Sequence, residues 1–363
     1  MKSSVRQTSA TAIFMTAPSQ PPGNPLGQLP ANSEDDSPEQ SQASPAAQSK
    51  QPGPRRLVWL VALGIVLVGA ASLYRHFWYD RPVGDGPAGP PVSAEKFEFT
   101  WTDRPVLLVG IGDSVTAGYG ASTESKSFFR RLVENPPDEF PDMHGKCLSK
   151  VFPNLTVSNV ALSGGTTLEC LETLVPKIKL QDEDTFGLIV MTIGGNDIIH
   201  NYGRTPPREG AMYGATLDQA RPWIENFGVR LEAIVAALGG KFPAGCEFFI
   251  ANIYDPTDGV GDAQNAGLPA WPDGLRIINA YNEVIATTAE KHKNVRLVNM
   301  HDAFLGHGIH CLQFWRPHYD ARDAHYWYWD NLEDPNDRGY DALRRLFLNE
   351  MAHTLPSLLE DGD

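Results

Sequence analysis

The hydrophobic and polar positions divide this chain into parts of different character. Residues 1–56 are rich in Ser, Pro, Gln and Ala and contain few large apolar side chains. Such a segment cannot bury enough apolar surface to offset the entropy cost of ordering it, so we predict a disordered tail. An uncharged apolar segment follows at 57–74, then a Gly- and Pro-rich linker at 75–96. From there short apolar runs alternate with amphipathic stretches, which predicts one folded domain at 97–358.

The uncharged segment is long enough to cross a membrane. As a helix, its 18 residues would rise about 27 Å, close to a hydrocarbon core of about 30 Å. Trp59 near one end and Trp78 beyond the other suit the two membrane interfaces. A cleaved signal peptide is the competing interpretation, but the long preceding region and the long apolar core favour an uncleaved anchor. The excess of basic residues before the segment predicts a single-pass protein with its domain on the outer side.

The folded part has the pattern of an α/β protein. Buried strands are predicted by apolar runs at 106–111, 155–160, 188–193, 246–253 and 295–299. Helices are predicted by amphipathic stretches at 127–134, 224–238, 275–291 and 338–351. Strands that alternate with helices predict a parallel five-stranded sheet flanked by helices. Functional groups are then expected at the carboxyl ends of the strands.

The charge balance excludes one class of function. The chain has 30 Lys and Arg against 44 Asp and Glu, and most of the acidic surplus lies in the folded domain. Nucleic-acid affinity comes from clustered basic side chains, so we expect no nucleic-acid partner. The four cysteines are compatible with an oxidising outer side, and the sequence leaves open which of them pair or stay free: Cys147, Cys170, Cys246 and Cys311.

Three polar motifs follow the first three predicted strands. They read GDS at 112–114, SG at 163–164 and GGND at 194–197. Because the carboxyl ends of parallel strands meet at one edge of a sheet, the three loops are expected to converge. The backbone N–H groups of Ser114 and Gly164 and the side-chain amide of Asn196 would then supply three hydrogen-bond donors. Acyl transfer needs such donors around its developing oxyanion.

These blocks resemble those of the SGNH/GDSL hydrolase family of esterases and lipases, over about residues 104–352. The resemblance implies a flavodoxin-like three-layer α/β/α fold, with Ser114 as the nucleophile and Gly164 and Asn196 as oxyanion donors. It implies an ester substrate, and the sequence does not distinguish an acylated glycan, a lipid or a small ester. It implies no metal or organic cofactor.

The fourth block departs from the family pattern of an Asp and a His three residues apart before Pro-Asn. Here Asn331 occupies the Asp slot and Asp334 the His slot. Because an ordinary Asp has a pKa of about 3.9 against about 6.5 for His, we expect Asp334 to be a poor direct replacement for the base. Our predicted base is His325, with Asp323 orienting its ring and Asp334 as the alternative for that role.

The segment at 306–330 contains His325 and an unusual concentration of aromatic residues. They are Phe314, Trp315, Tyr319, Tyr326, Trp327, Tyr328 and Trp329. We predict a wall or lid over Ser114, the alternative being a loop folded onto the domain by its own apolar side chains. A second insertion at 200–223 could form the opposite wall. The histidines of the 306–330 segment lack the spacing of a compact metal-binding motif.

Together these patterns predict a membrane-anchored serine esterase. Its membrane contact would be the single helix, and its catalytic domain would lie on the outer side. The altered fourth block keeps a second hypothesis open, namely a catalytically inactive binding module that retains the fold and pocket but has lost the base.

Overall fold

The five apolar runs form five strands in the computed structural model, which describes residues 54–199 and 213–360. The strands are β1 (Val106–Gly112), β2 (Leu155–Asn159), β3 (Phe186–Thr192), β4 (Cys246–Ala251) and β5 (Val295–Val298). All neighbouring strands are parallel, in the order β2-β1-β3-β4-β5. The predicted parallel five-stranded sheet is therefore confirmed.

Helices connect the strands and cover the sheet. They are α1 (Pro54–Trp78), α2 (Ser114–Ala117), α3 (Phe128–Val133), α4 (Leu148–Val151), α5 (Thr167–Glu169), α6 (Gly195–Ile199), α7 (Leu217–Gly239), α8 (Gly274–Lys291), α9 (Met300–Phe304) and α10 (Asp337–Glu360). The predicted helix at 224–238 begins earlier, because Thr216 caps α7 and its hydroxyl accepts a hydrogen bond from the Gln219 N–H. The predicted helix at 338–351 continues as α10 to Glu360.

Both faces of the sheet are buried, because alternate side chains of each strand point to opposite layers. Leu108 and Val190 belong to a core that includes residues of α3 and α10. Val109 and Met191 belong to a second core that includes residues of α7 and α8. The domain is therefore a three-layer α/β/α structure, as the family resemblance implies.

One helix of the described chain, Arg55–Trp78, is long and apolar enough to span a membrane, with a mean hydropathy of 2.3. Length and composition alone do not distinguish such a helix from a signal sequence. The described chain from Trp59 onward belongs to one compact unit. The predicted tail at 1–56 lies almost wholly outside the described residues, which begin at 54.

The chain that follows α1 lies along the domain, although the sequence predicts a spacer there. We call residues 80–92 the strap. The Tyr326 N–H donates to the Pro82 carbonyl at 2.8 Å, and the Ala88 N–H donates to Asp341 Oδ2 at 3.0 Å. The strap is therefore held against both the 306–330 segment and α10.

All four cysteines are buried and free. Burial raises the pKa of the Cys170 thiol to about 12 and that of the Cys246 thiol to about 11. These thiols are therefore protonated at neutral pH and behave as small apolar core residues.

Candidate active site

A tight turn between β1 and α2 carries Ser114. Gly112 has a φ of +125°, and a Cβ atom there would lie 2.0 Å from the Thr192 carbonyl oxygen, so only glycine fits. The Asp113 carboxylate caps α2 by accepting a hydrogen bond from the Val115 N–H at 3.1 Å. It also accepts a hydrogen bond from the Thr192 hydroxyl at 2.6 Å. Ser114 is thus the first residue of a helix fixed at the carboxyl edge of the sheet.

The loops after β1, β2 and β3 converge there, as their positions at strand ends predict. The Leu162 N–H donates to the Gly112 carbonyl at 3.0 Å. The Asn196 side-chain amide donates to the Gly165 carbonyl at 3.1 Å. Gly164, between these contacts, has a φ of +80° and faces open space. The structure therefore brings the three predicted motifs together.

A buried ion pair fixes the loop that carries Asn196. Asp197 accepts hydrogen bonds from the backbone N–H of Thr167 at 3.0 Å and from its hydroxyl at 2.5 Å. The Arg230 guanidinium lies 3.4 Å from the same carboxylate. Asp197 is fully buried, so its role is to join the loops after β2 and β3.

Asp334 lies beside Ser114. Its Oδ2 atom accepts a hydrogen bond from the Asn331 amide at 2.6 Å. Its Oδ1 atom is buried and has no hydrogen bond to a described residue. The nearby Ser114 hydroxyl opposes the rise of the Asp334 pKa. Burial is the larger effect and raises the Asp334 pKa above the usual value.

The predicted pair of His325 and Asp323 forms, but on the strap. The His325 Nδ1 atom lies 2.6 Å from Asp323 Oδ1, and the Arg338 guanidinium donates to the same oxygen at 2.6 Å. The His325 ring packs so closely on Gly84 that a Cβ there would lie 2.3 Å from it. His325 is not among the described residues that line the cavity beside Ser114.

Two other histidines of the 306–330 segment have partners of their own. The His307 ring stacks on Trp327, with ring centres 3.5 Å apart. His310 Nε2 lies 2.8 Å from a carboxylate oxygen of Asp262. The stacking of His307 on Trp327 lies within the segment, whereas the contact of His310 with Asp262 anchors the segment to the domain.

An apolar cavity of about 150 Å³ opens beside Ser114. Asn196 and Glu333 are among its polar lining residues, and much of the remaining lining is apolar: Ile198, Ile253, Trp271, Leu275 and Ile278. Burial, followed by the neighbouring Asp334 charge, raises the pKa of Glu333 to about 7. The site therefore combines a polar end at the serine with an apolar chamber.

Comparison with known families identifies the chain. The model of the GDSL-like lipase/acylhydrolase family matches residues 111–342, well over half of the sequence. The chain belongs to this family of ester hydrolases. No curated protein matches the sequence significantly.

Several solved structures are similar to this GDSL-like hydrolase at low sequence identity. An extracellular lipase from Streptomyces rimosus is 17% identical, with 68% of this chain and 99% of that chain covered and a TM-score of 0.46. A phospholipase A1 from Streptomyces albidoflavus NA297 is 21% identical, with coverage of 68% and 99% and a TM-score of 0.43. The acetylxylan esterase Axe2 from Geobacillus stearothermophilus is 20% identical, with coverage of 69% and 96% and a TM-score of 0.40.

The aromatic wall predicted for this hydrolase is not part of its cavity. Tyr326, Trp327 and Tyr328 are buried in the core, and Phe314 and Trp315 contact the end of α1 instead. The alternative, a loop folded onto the domain, describes the three buried residues. Of the second predicted insertion, Tyr213 lines the cavity and 200–212 lies outside the described residues.

The buried Asp113 predicts a pH-dependent stability. Burial raises its pKa to about 7 in the folded state, against about 3.9 for an unfolded Asp. Its stabilising contribution is therefore complete below the unfolded pKa and is lost as pH rises through about 7. The Asp113→Asn variant keeps an acceptor oxygen without the charge. We expect it to unfold at a higher temperature than the native protein at pH 8, with the difference shrinking towards pH 4.

Thermal unfolding followed by circular dichroism between pH 4 and pH 8 measures this difference. Asp320→Asn is the matched control, because Asp320 is partly exposed to solvent and its pKa is lowered by the hydrogen bond from Arg322, a shift opposite to that of Asp113. If the difference in unfolding temperature between Asp113→Asn and the native protein did not change with pH, burial would not be raising the Asp113 pKa.

Proposed function

We propose that this hydrolase is a membrane-anchored serine esterase in which Ser114 is the nucleophile and Asp334 accepts its proton. The observation that carries the proposal is the position of the Asp334 carboxylate, which is buried and near enough to the Ser114 hydroxyl for that hydroxyl to oppose the rise of its pKa. The proposal keeps the predicted nucleophile. It takes Asp334 as base in preference to the predicted His325, which remains the competing assignment.

The reaction divides into acylation and deacylation. Ser114 Oγ attacks the ester carbonyl while its proton passes to Asp334, and the tetrahedral intermediate expels the alcohol, which takes that proton. Water then attacks the acyl-enzyme and gives a proton to Asp334. Collapse releases the carboxylic acid, and the proton returns to Ser114 Oγ.

Three hydrogen-bond donors would stabilise the oxyanion. The backbone N–H groups of Ser114 and Gly164 donate to no other group in the described ranges 54–199 and 213–360, so both are available to substrate. The Asn196 amide lies at the same convergence of loops, where it already contacts the Gly165 carbonyl. Donors aimed at a developing charge supply a large part of catalysis in acyl transfer.

Burial gives Asp334 the basicity that an exposed carboxylate lacks. An ordinary Asp is too weak a base for a serine hydroxyl near neutral pH. At Asp334, loss of hydration raises the pKa, and the hydrogen bond from Asn331 only partly opposes this shift. Asn331 thereby takes the positioning role of the family's Asp, because its amide holds one carboxylate oxygen and leaves the other for Ser114.

The apolar cavity favours an aliphatic acyl group in the substrate. Its volume of about 150 Å³ lies directly against Ser114. Side chains such as Ile253 and Ile278 would contact an acyl chain without leaving a polar group unpaired. The alcohol part of the ester would then point away from the cavity.

Membrane anchorage rests on α1. Arg55–Trp78 is 24 residues long and would rise about 36 Å as a helix, enough to cross a hydrocarbon core of about 30 Å. Arg55 and Arg56 at its start favour an inside N-terminus. The hydrolase domain would accordingly lie on the outer side.

The nucleophile is tested with a serine-directed fluorophosphonate. We expect the full-length protein in detergent to be labelled on Ser114 and to hydrolyse p-nitrophenyl butyrate. Ser114→Ala should lose the label and reduce hydrolysis by roughly 10³-fold or more. Unlabelled native protein without esterase activity would instead support the inactive binding module.

The base is tested by a matched pair of substitutions. Asp334→Asn keeps the size of the side chain but removes the proton acceptor, so we expect kcat to fall by about 10²- to 10⁴-fold. His325→Gln should leave kcat within about threefold of native, because His325 contacts the strap and not Ser114. Thermal unfolding of both variants serves as the folding control. Near-native turnover of Asp334→Asn, with a large loss in His325→Gln, would reverse the assignment.

A further inference from the structure

A cluster of aromatic side chains joins the end of α1 to the hydrolase domain. The Phe77 ring lies 4.9 Å from the Trp315 ring and 5.7 Å from the Phe314 ring, between centres. Trp78 lies 5.6 Å from Trp315. Phe314 and Trp315 belong to the 306–330 segment, so this segment contacts the helix that the proposed function places in the membrane.

A buried glutamine fixes this contact. Gln313 is completely buried, and its side-chain amide donates to the Phe77 carbonyl at 2.9 Å. Its amide oxygen accepts a hydrogen bond from Arg316 at 2.9 Å. Phe314 and Trp315, which follow Gln313 in the sequence, are therefore held at a fixed position along the axis of α1.

Phe314 and Trp315 nevertheless remain open to their surroundings. Phe314 is 64% exposed and Trp315 is 44% exposed, although both pack against Phe77. These exposed apolar side chains lie next to the apolar helix α1 and form a continuous apolar surface with it. Such a surface fits a lipid environment better than water.

The height of the pair follows from the helix geometry. If residues 57–74 fill the hydrocarbon core, Phe77 and Trp78 lie about 5–6 Å beyond its edge at about 1.5 Å per residue. This is the headgroup region, where aromatic residues concentrate in membrane proteins. Phe314 and Trp315 contact these two residues and share their depth.

We propose that Phe314 and Trp315 form a second membrane contact, seated in the headgroup region of the same bilayer that α1 spans. The inference rests on the proposed membrane anchorage. Together with the strap, this contact holds the hydrolase domain in one orientation to the membrane. The partner of the surface is the bilayer interface.

The depth of the pair is measured with fluorescent labels and nitroxide lipids. Trp315→Cys and, separately, Phe314→Cys are labelled with bimane in the full-length protein, reconstituted in phosphatidylcholine nanodiscs. Leu180→Cys is the control, because Leu180 is 67% exposed and lies outside the cluster. The unsubstituted protein corrects for labelling of the four buried native thiols. Hydrolysis of soluble p-nitrophenyl butyrate checks that each labelled protein is folded.

We expect a headgroup nitroxide to quench the labels at 314 and 315 at least threefold more than the label at 180. Equal quenching at all three positions would overturn the second contact. A label at Leu67→Cys, quenched by a nitroxide deep in the acyl chains, reports α1 separately. If that label is not quenched, the anchorage fails and the inference with it; if it is quenched, equal quenching at 314, 315 and 180 rejects the inference alone.

Discussion

The site depends on one contact between the first and third strands. Gly112 and Thr192 are opposite each other in the β1–β3 register, and the Asp113 N–H donates to the Thr192 carbonyl at 3.0 Å. The Thr192 hydroxyl donates a hydrogen bond to the Asp113 carboxylate. The same hydroxyl oxygen accepts a hydrogen bond from the Thr116 N–H at 3.1 Å. A slip of one residue would turn every side chain of the strand to the other face. The position of Ser114 therefore depends on the correct register between β1 and β3.

The altered fourth block is compatible with an active site because burial changes the basicity of a carboxylate. Asp334 enters the site just before α10, where its carbonyl accepts a hydrogen bond from the Trp329 N–H at 2.7 Å. At this position it is 2% exposed, so its charged form is destabilised. A residue that is a weak base in water thus becomes a candidate base beside Ser114.

The sequence predicts those features that depend on local pattern. Strands buried on both faces read as continuous apolar runs, so β1 and β3 are evident, and their ends locate Ser114 and Asn196. The proposed base depends on burial created by distant chain segments, which the ordinary pKa of Asp does not reflect. An aromatic residue such as Phe314 indicates burial or a contact, but the sequence does not reveal its partner. In the structure this partner is Phe77 at the end of α1. The strap likewise owes its position to contacts with residues more than 240 positions away.

The proposed mechanism requires a carboxylate, and not an imidazole, to accept the proton of Ser114. The most direct test is the temperature dependence of the apparent pKa on the acid limb of kcat/KM for the native protein. Ionisation of a carboxylic acid has a small enthalpy, whereas that of an imidazolium has a large one. With a carboxylate as the base, the acid-limb pKa should stay nearly constant between 10 and 35 °C. An acid-limb pKa that falls steadily on warming would contradict this assignment and favour a histidine.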